Sequence, residues 1–62
     1  MLTTYTLYIR DGAEPSAFEP FLGRNSGEAI ARARALLEEH PASLAIDVYF
    51  GDTMLFSVQR PD

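Results

Sequence analysis

The side chains best suited to chemistry sit in one short run: Glu38, Glu39 and His40, the chain's single histidine, directly precede Pro41. A carboxylate beside an imidazole is raw material for general acid-base catalysis or for a metal site. Consecutive helical residues point about 100° apart, however, so these three cannot converge on one ion or one substrate atom. His40 is expected instead to cap the C-terminus of the helix or to complement its dipole. Cysteine is absent from the sequence, and so are a glycine-rich phosphate loop, a nucleophile elbow and any metal-ligand spacing. A chain of 62 residues can hardly enclose a pocket for paired carboxylates without oligomerising. The chain is therefore read as non-enzymatic, with no catalytic residue, no metal ligand and no cofactor.

Composition narrows the partners. Apolar residues make up 47% of the chain and include three tyrosines and four phenylalanines, which is the make-up of a folded domain rather than of a disordered segment. Residues 1–62 are read as a single domain. Nine acidic residues oppose five arginines, for a net charge of −4 and a pI near 4.7. Direct binding to nucleic acid is disfavoured, because affinity for phosphate backbones rests on Lys and Arg displacing counterions. A basic protein partner is electrostatically easier, and the same charge also serves solubility. Met1 to Tyr5 lack the basic and apolar regions of a leader, and no apolar run approaches about 18 residues. A cytoplasmic location without a membrane partner is expected.

The elements that position these groups follow from periodicity. Leu2 to Ile9 alternates as a strand, with Tyr5, Leu7 and Ile9 on the core side and Thr4, Thr6 and Tyr8 on the other. Asp11-Gly12 predicts a reversal. Pro15 and Pro20 restrict any strand between residues 13 and 23 to a short edge strand, and Phe18 or Phe21 is expected to plug the rim of the core. Asn25 or Ser26 can cap a helix over 26–39, with Glu28 as the capping-box partner. Its apolar stripe is Ala29, Ile30, Ala33, Leu36, Leu37 and His40, and Glu28, Ala31, Ala35, Glu38 and Glu39 lie opposite. The pairs Glu28 with Arg32 and Arg34 with Glu38 stand at i,i+4, whereas Glu39 has no such partner.

Leu44 to Phe50 and Met54 to Gln59 form the last hairpin. Leu44, Ile46, Val48 and Phe50 are expected to face the core together with Met54, Phe56 and Val58. A strict two-residue turn at Gly51-Asp52 would set Val48 opposite Leu55 and mix the two faces. A bulge or a longer turn is therefore predicted, so that Val48 meets Phe56. The fold class is α+β: one amphipathic helix on one face of a three- or four-stranded, mainly antiparallel sheet, in the order β-(β)-α-β-β, with the first strand beside the final hairpin.

One helix covers one face of a sheet, which leaves Tyr8, Asp47, Tyr49 and Leu55 on the other. Exposed tyrosines are common in strands, but grouped with an aliphatic residue they also suit a binding or dimerisation surface. Stacking of bases on these rings is disfavoured by Asp47. Glu28, Glu38, Glu39, Asp47 and Asp52, with Asp11, Glu14 and Glu19, can equally be a solvated surface or a carboxylate display that imitates DNA phosphates.

The stretch Tyr5-Thr6-Leu7-Tyr8-Ile9-Arg10-Asp11-Gly12, the helix Glu28-Ala29-Ile30-Ala31-Arg32-Ala33 and the closing hairpin resemble a group of small bacterial proteins whose aromatic first strand ends in Arg-Asp-Gly. That resemblance implies a compact strand, helix and strand-hairpin domain. In size and acidity the chain is also similar to phage-encoded inhibitors of CRISPR effectors, several of which act as DNA mimics. The small tautomerases share its length and element order but need an N-terminal proline, where this chain has Met1-Leu2. The leading expectation is a protein-binding module, most sharply an acidic inhibitor on a basic nucleic-acid-binding surface, contacting through Tyr8, Glu28, Glu38, Glu39, Asp47, Tyr49, Asp52 and Leu55. The alternative is a homo-oligomerising domain, such as a homodimer, that uses the open sheet face.

Overall fold

The computed structural model describes residues 1–60. It contains β1 (Thr3–Arg10), β2 (Pro15–Gly23), α1 (Ser26–Glu39), β3 (Ala45–Phe50) and β4 (Thr53–Gln59). The strands form one antiparallel sheet in the order β2-β1-β3-β4. The fold is α+β, and β1 lies beside the final hairpin, as expected.

The core is assembled from three elements. Tyr5, Leu7 and Ile9 of β1 and Ile46 and Val48 of β3 pack against Ala29, Ala33, Leu36 and Leu37 of α1. Leu7, Ile46 and Val48 have no solvent exposure. Phe21 and Val58 close the core's margins, so Phe21 is the rim plug, whereas Phe18 stays 66% exposed on the other face.

Asn25 is the cap of α1: its side chain accepts a hydrogen bond from the Glu28 amide at 3.0 Å. Glu28 reaches back one residue further than a capping box requires, accepting from the Arg24 amide at 2.8 Å. At the other end His40 acts through its backbone, donating its amide to the Leu36 carbonyl. Its side chain is exposed rather than part of the apolar stripe. Arg60 reaches the same end of the helix: its guanidinium donates to the Leu37 carbonyl of the last turn (2.6 Å) and, just past it, to the carbonyls of His40 (3.0 Å) and Ser43 (3.0 Å). This tie from the end of the chain to the end of the helix joins residues too distant in sequence for any local rule.

Three strand expectations are corrected. First, β2 is nine residues long rather than short. It runs along an edge of the sheet, where a proline nitrogen need not face a partner strand. A bulge near its start pairs Ile9 with Ala17 and Arg10 with Pro15, skipping Ser16. Second, Leu44 precedes β3 and is exposed. Its amide donates to the Arg10 carbonyl and its own carbonyl accepts from the Arg60 amide, so backbone pairing continues while the side chain meets water. Phe50 is likewise half-exposed, covering Tyr5 at a ring separation of 6.2 Å.

Third, Met54 leaves the core set. The hairpin has a two-residue turn, with Phe50 opposite Thr53 and Gly51 at φ 59°, and it also has the predicted bulge. Tyr49 faces Met54 and Val48 faces Phe56, so Leu55 is the extra residue. Directly opposed residues share a face, and Met54 therefore joins Tyr49 on the open side. The bulge keeps Phe56 and Val58 on the helix side.

Candidate protein-binding surface

The face without a helix is laid out by strand register. Thr4, Thr6 and Tyr8 of β1 oppose Leu22, Pro20 and Phe18 of β2, and on the other side Thr6 and Tyr8 oppose Tyr49 and Asp47 of β3. Met54 and Ser57 of β4 complete the rows beside Tyr49 and Asp47. Side chains on neighbouring strands are close enough to touch at these positions, and the aromatic ones do. Tyr8 meets Tyr49 edge to face at 5.1 Å and Phe18 at 6.1 Å. Such pairs hold rings in place by about 0.5 to 1.5 kcal/mol beyond the area they bury.

Asp47 lies at the foot of this cluster and is only 9% exposed. Its carboxylate accepts from Arg10 Nε at 3.1 Å and from the Ser57 hydroxyl at 2.7 Å, with a longer contact to Arg10 Nη2 at 3.5 Å. Three strands are thus tied together by one partly buried polar knot. The carboxylate is spent inside the sheet rather than displayed. Above it Tyr8, Pro15, Asp47 and Tyr49 line a shallow recess of about 180 Å³.

The helix carboxylates have separate environments. Arg32 does not pair with Glu28. It donates to Glu19 of β2 at 2.8 and 3.1 Å and to Glu39 at 3.1 Å, clamping the helix to the edge strand. Glu39 therefore has the partner that i,i+4 spacing denied it. The hydrogen bond from Arg32 holds the Glu19 carboxyl below its ordinary value of 4.5; partial desolvation opposes this, and the charges of Arg32 and His40 reinforce it. The same hydrogen bond pushes the Arg32 guanidinium up. Glu38, Asp52, Asp11 and Glu14 are exposed and have no side-chain partner among the described residues.

Of the residues singled out from sequence, Tyr8, Asp47 and Tyr49 come together on the open face. Leu55 sits in the nearby bulge and is 44% exposed. Glu28, Glu38 and Glu39 are on the helix, on the opposite side of the sheet, and Asp52 is at the hairpin tip. Phe18, Leu22 and Met54 belong to the open face and were not assigned to it by sequence reasoning. Alternation alone could place neither Phe18 nor Met54: the first depends on the bulge that skips Ser16, and the second on the bulge at Leu55. Among the described residues no three His, Cys, Asp or Glu side chains gather as metal ligands, and no helix is long and apolar enough to cross a membrane. Compared with known proteins, the chain matches no family model, no curated protein and no solved structure.

Proposed function

We propose that this chain is a non-enzymatic protein-binding module of the cytoplasm whose contact surface is the open sheet face centred on Tyr8, Phe18 and Tyr49. One observation carries the reading. Three rings in a row, with Tyr8 packed between Phe18 and Tyr49, stand on an uncovered face, flanked by the exposed Leu22 and Met54. Rings already fixed by one another lose little freedom on docking, which is what makes aromatic residues effective anchors.

A second reading keeps the acidic inhibitor, docking on a basic nucleic-acid-binding surface. It is favoured by Glu38, Asp52, Asp11 and Glu14, which have no side-chain partner among the described residues, in a molecule of net charge −4 that would steer a basic partner towards it. Glu19, Glu28, Glu39 and Asp47 contribute less to such a display, since each is engaged within the fold.

The two readings separate in a nuclease-treated pull-down from host lysate, eluted by a salt gradient and compared across variants. Loss of a captured protein with Tyr8→Ala and Tyr49→Ala, and its retention with the Glu38→Arg, Glu39→Arg pair, supports the aromatic face. The opposite pattern, with elution as salt rises, supports the acidic inhibitor. A wild-type chain that captures nothing rejects both for that host.

A further inference from the structure

We infer that two copies of this chain pair along their β4 strands about a two-fold axis, joining their sheets into one continuous antiparallel sheet. The two edges of the sheet differ in the way that decides whether an edge stays single. Along β2, Pro15, Pro20, Glu19 and a bulge interrupt pairing, all of them familiar guards against edge-to-edge association. Along β4, residues Thr53 to Gln59 include neither a charge nor a proline. The bulge at Leu55 bends the first part of this strand and leaves Phe56 to Gln59 regular. There the Arg60 amide points inward to the Leu44 carbonyl. Donors alternate along an antiparallel strand, so the Ser57 and Gln59 amides point outward, away from β3.

A second feature lies along the same edge. The helix packs mainly on β3, and between α1 and β4 it leaves an open groove of about 830 Å³ whose floor is Ala31, Ala35, Leu37 and Val58. Phe56, on the helix side of β4, is 38% exposed. Pairing about a two-fold axis places both helices on the same side of the joined sheet. Each groove then opens towards the other, and Phe56 and Val58 of both copies extend the two cores across the seam.

Charge makes this edge the one where a second copy can approach. Two chains of net charge −4 repel on most approaches, whereas β4 offers an uncharged stretch to its own copy. The rim of the groove carries Arg34 and Glu38, four residues apart on the helix. A two-fold axis reverses their order and directs opposite charges towards one another across the seam. Such a dimer carries its two aromatic faces on one side, but the inference does not depend on what those faces bind.

Sedimentation equilibrium from micromolar to millimolar concentration tests it. The wild-type chain is expected to approach twice its 6.9 kDa mass. Gln59→Pro removes an outward donor without breaking a pair inside the protomer, and Ala35→Glu places a charge on the floor of the groove. Both variants, with far-ultraviolet circular dichroism matching the wild type, are expected to stay at monomer mass over the same range, and Tyr49→Ala is expected to dimerise normally. A wild-type chain that remains monomeric overturns the inference. So does a dimer that survives in both folded variants, or one that Tyr49→Ala dissociates, since the last would place the contact on the open face.

Discussion

On the helix side of the sheet, Leu7, Ile46 and Val48 lose all contact with water, whereas on the far side Tyr8 and Tyr49 remain partly exposed at equally central positions of the same strands. The first face is held by apolar burial under a helix. The second is held by ring-to-ring contacts and by the Asp47 knot with Arg10 and Ser57. In a chain of this size, burial on one face has to supply most of the stability. The other face is free to keep large side chains at the surface, where they are available to a partner.

The comparison predicts unequal costs. Leu36→Ala, on the buried side, is expected to destabilise by about 2 to 5 kcal/mol, enough to unfold much of a domain this small, as a thermal or urea melt would show. Little or no loss would mean that α1 is not the main cover of the core. Asp47→Ala should come next at about 1 to 3 kcal/mol, because it strands Arg10 and Ser57 without their acceptor. If Asp47→Ala proves as costly as Leu36→Ala, the division between the faces fails. Asn25→Ala, which loosens only the start of the helix, should cost about 1 kcal/mol in the same melts.

Smaller effects sharpen the contrast. Tyr49→Ala should cost about 0.5 to 1.5 kcal/mol for the lost ring contact, together with the area its half-buried ring covers, and leave a folded chain that no longer captures a partner, a separation that a purely structural tyrosine would not give. Glu19→Gln should cost about 0.2 to 1 kcal/mol at neutral pH. Because the folded-state carboxyl of Glu19 is held below 4.5, its contribution is present above that pH and is lost as pH falls through the lower folded value. An acid titration of stability should therefore be shallower in Glu19→Gln than in the wild-type chain below pH 4.5. Parallel curves would show that Arg32 draws no useful stability from Glu19.

The alternation of Tyr5, Leu7 and Ile9, the helical stripe Ala29, Ala33, Leu36 and Leu37 and the turn pairs Asp11-Gly12 and Gly51-Asp52 are local patterns, set by the two- and nearly four-residue periods of the backbone. Together they determined the helix, the α+β class, the side of β1 that faces the core, and the need for a bulge to keep Val48 opposite Phe56. Tyr8 and Tyr49 could be placed together for the same reason, since both fall on the face that a single helix must leave uncovered.

Tertiary structure alone decided the rest, because the remaining contacts join residues distant in sequence. Whether β2 reaches nine residues depends on its place at an edge, which no reading of Pro15 and Pro20 in isolation supplies. Arg32 chooses Glu19 and Glu39 over Glu28 because the helix lies against β2 and because Glu28 is already bound to the Arg24 amide. Arg60 caps a helix that ends some twenty residues earlier, and Asp47 is sealed by partners from two other strands. Periodicity assigns a side chain to a face; which partner it meets there depends on how the elements are stacked and on which groups compete for the same charge.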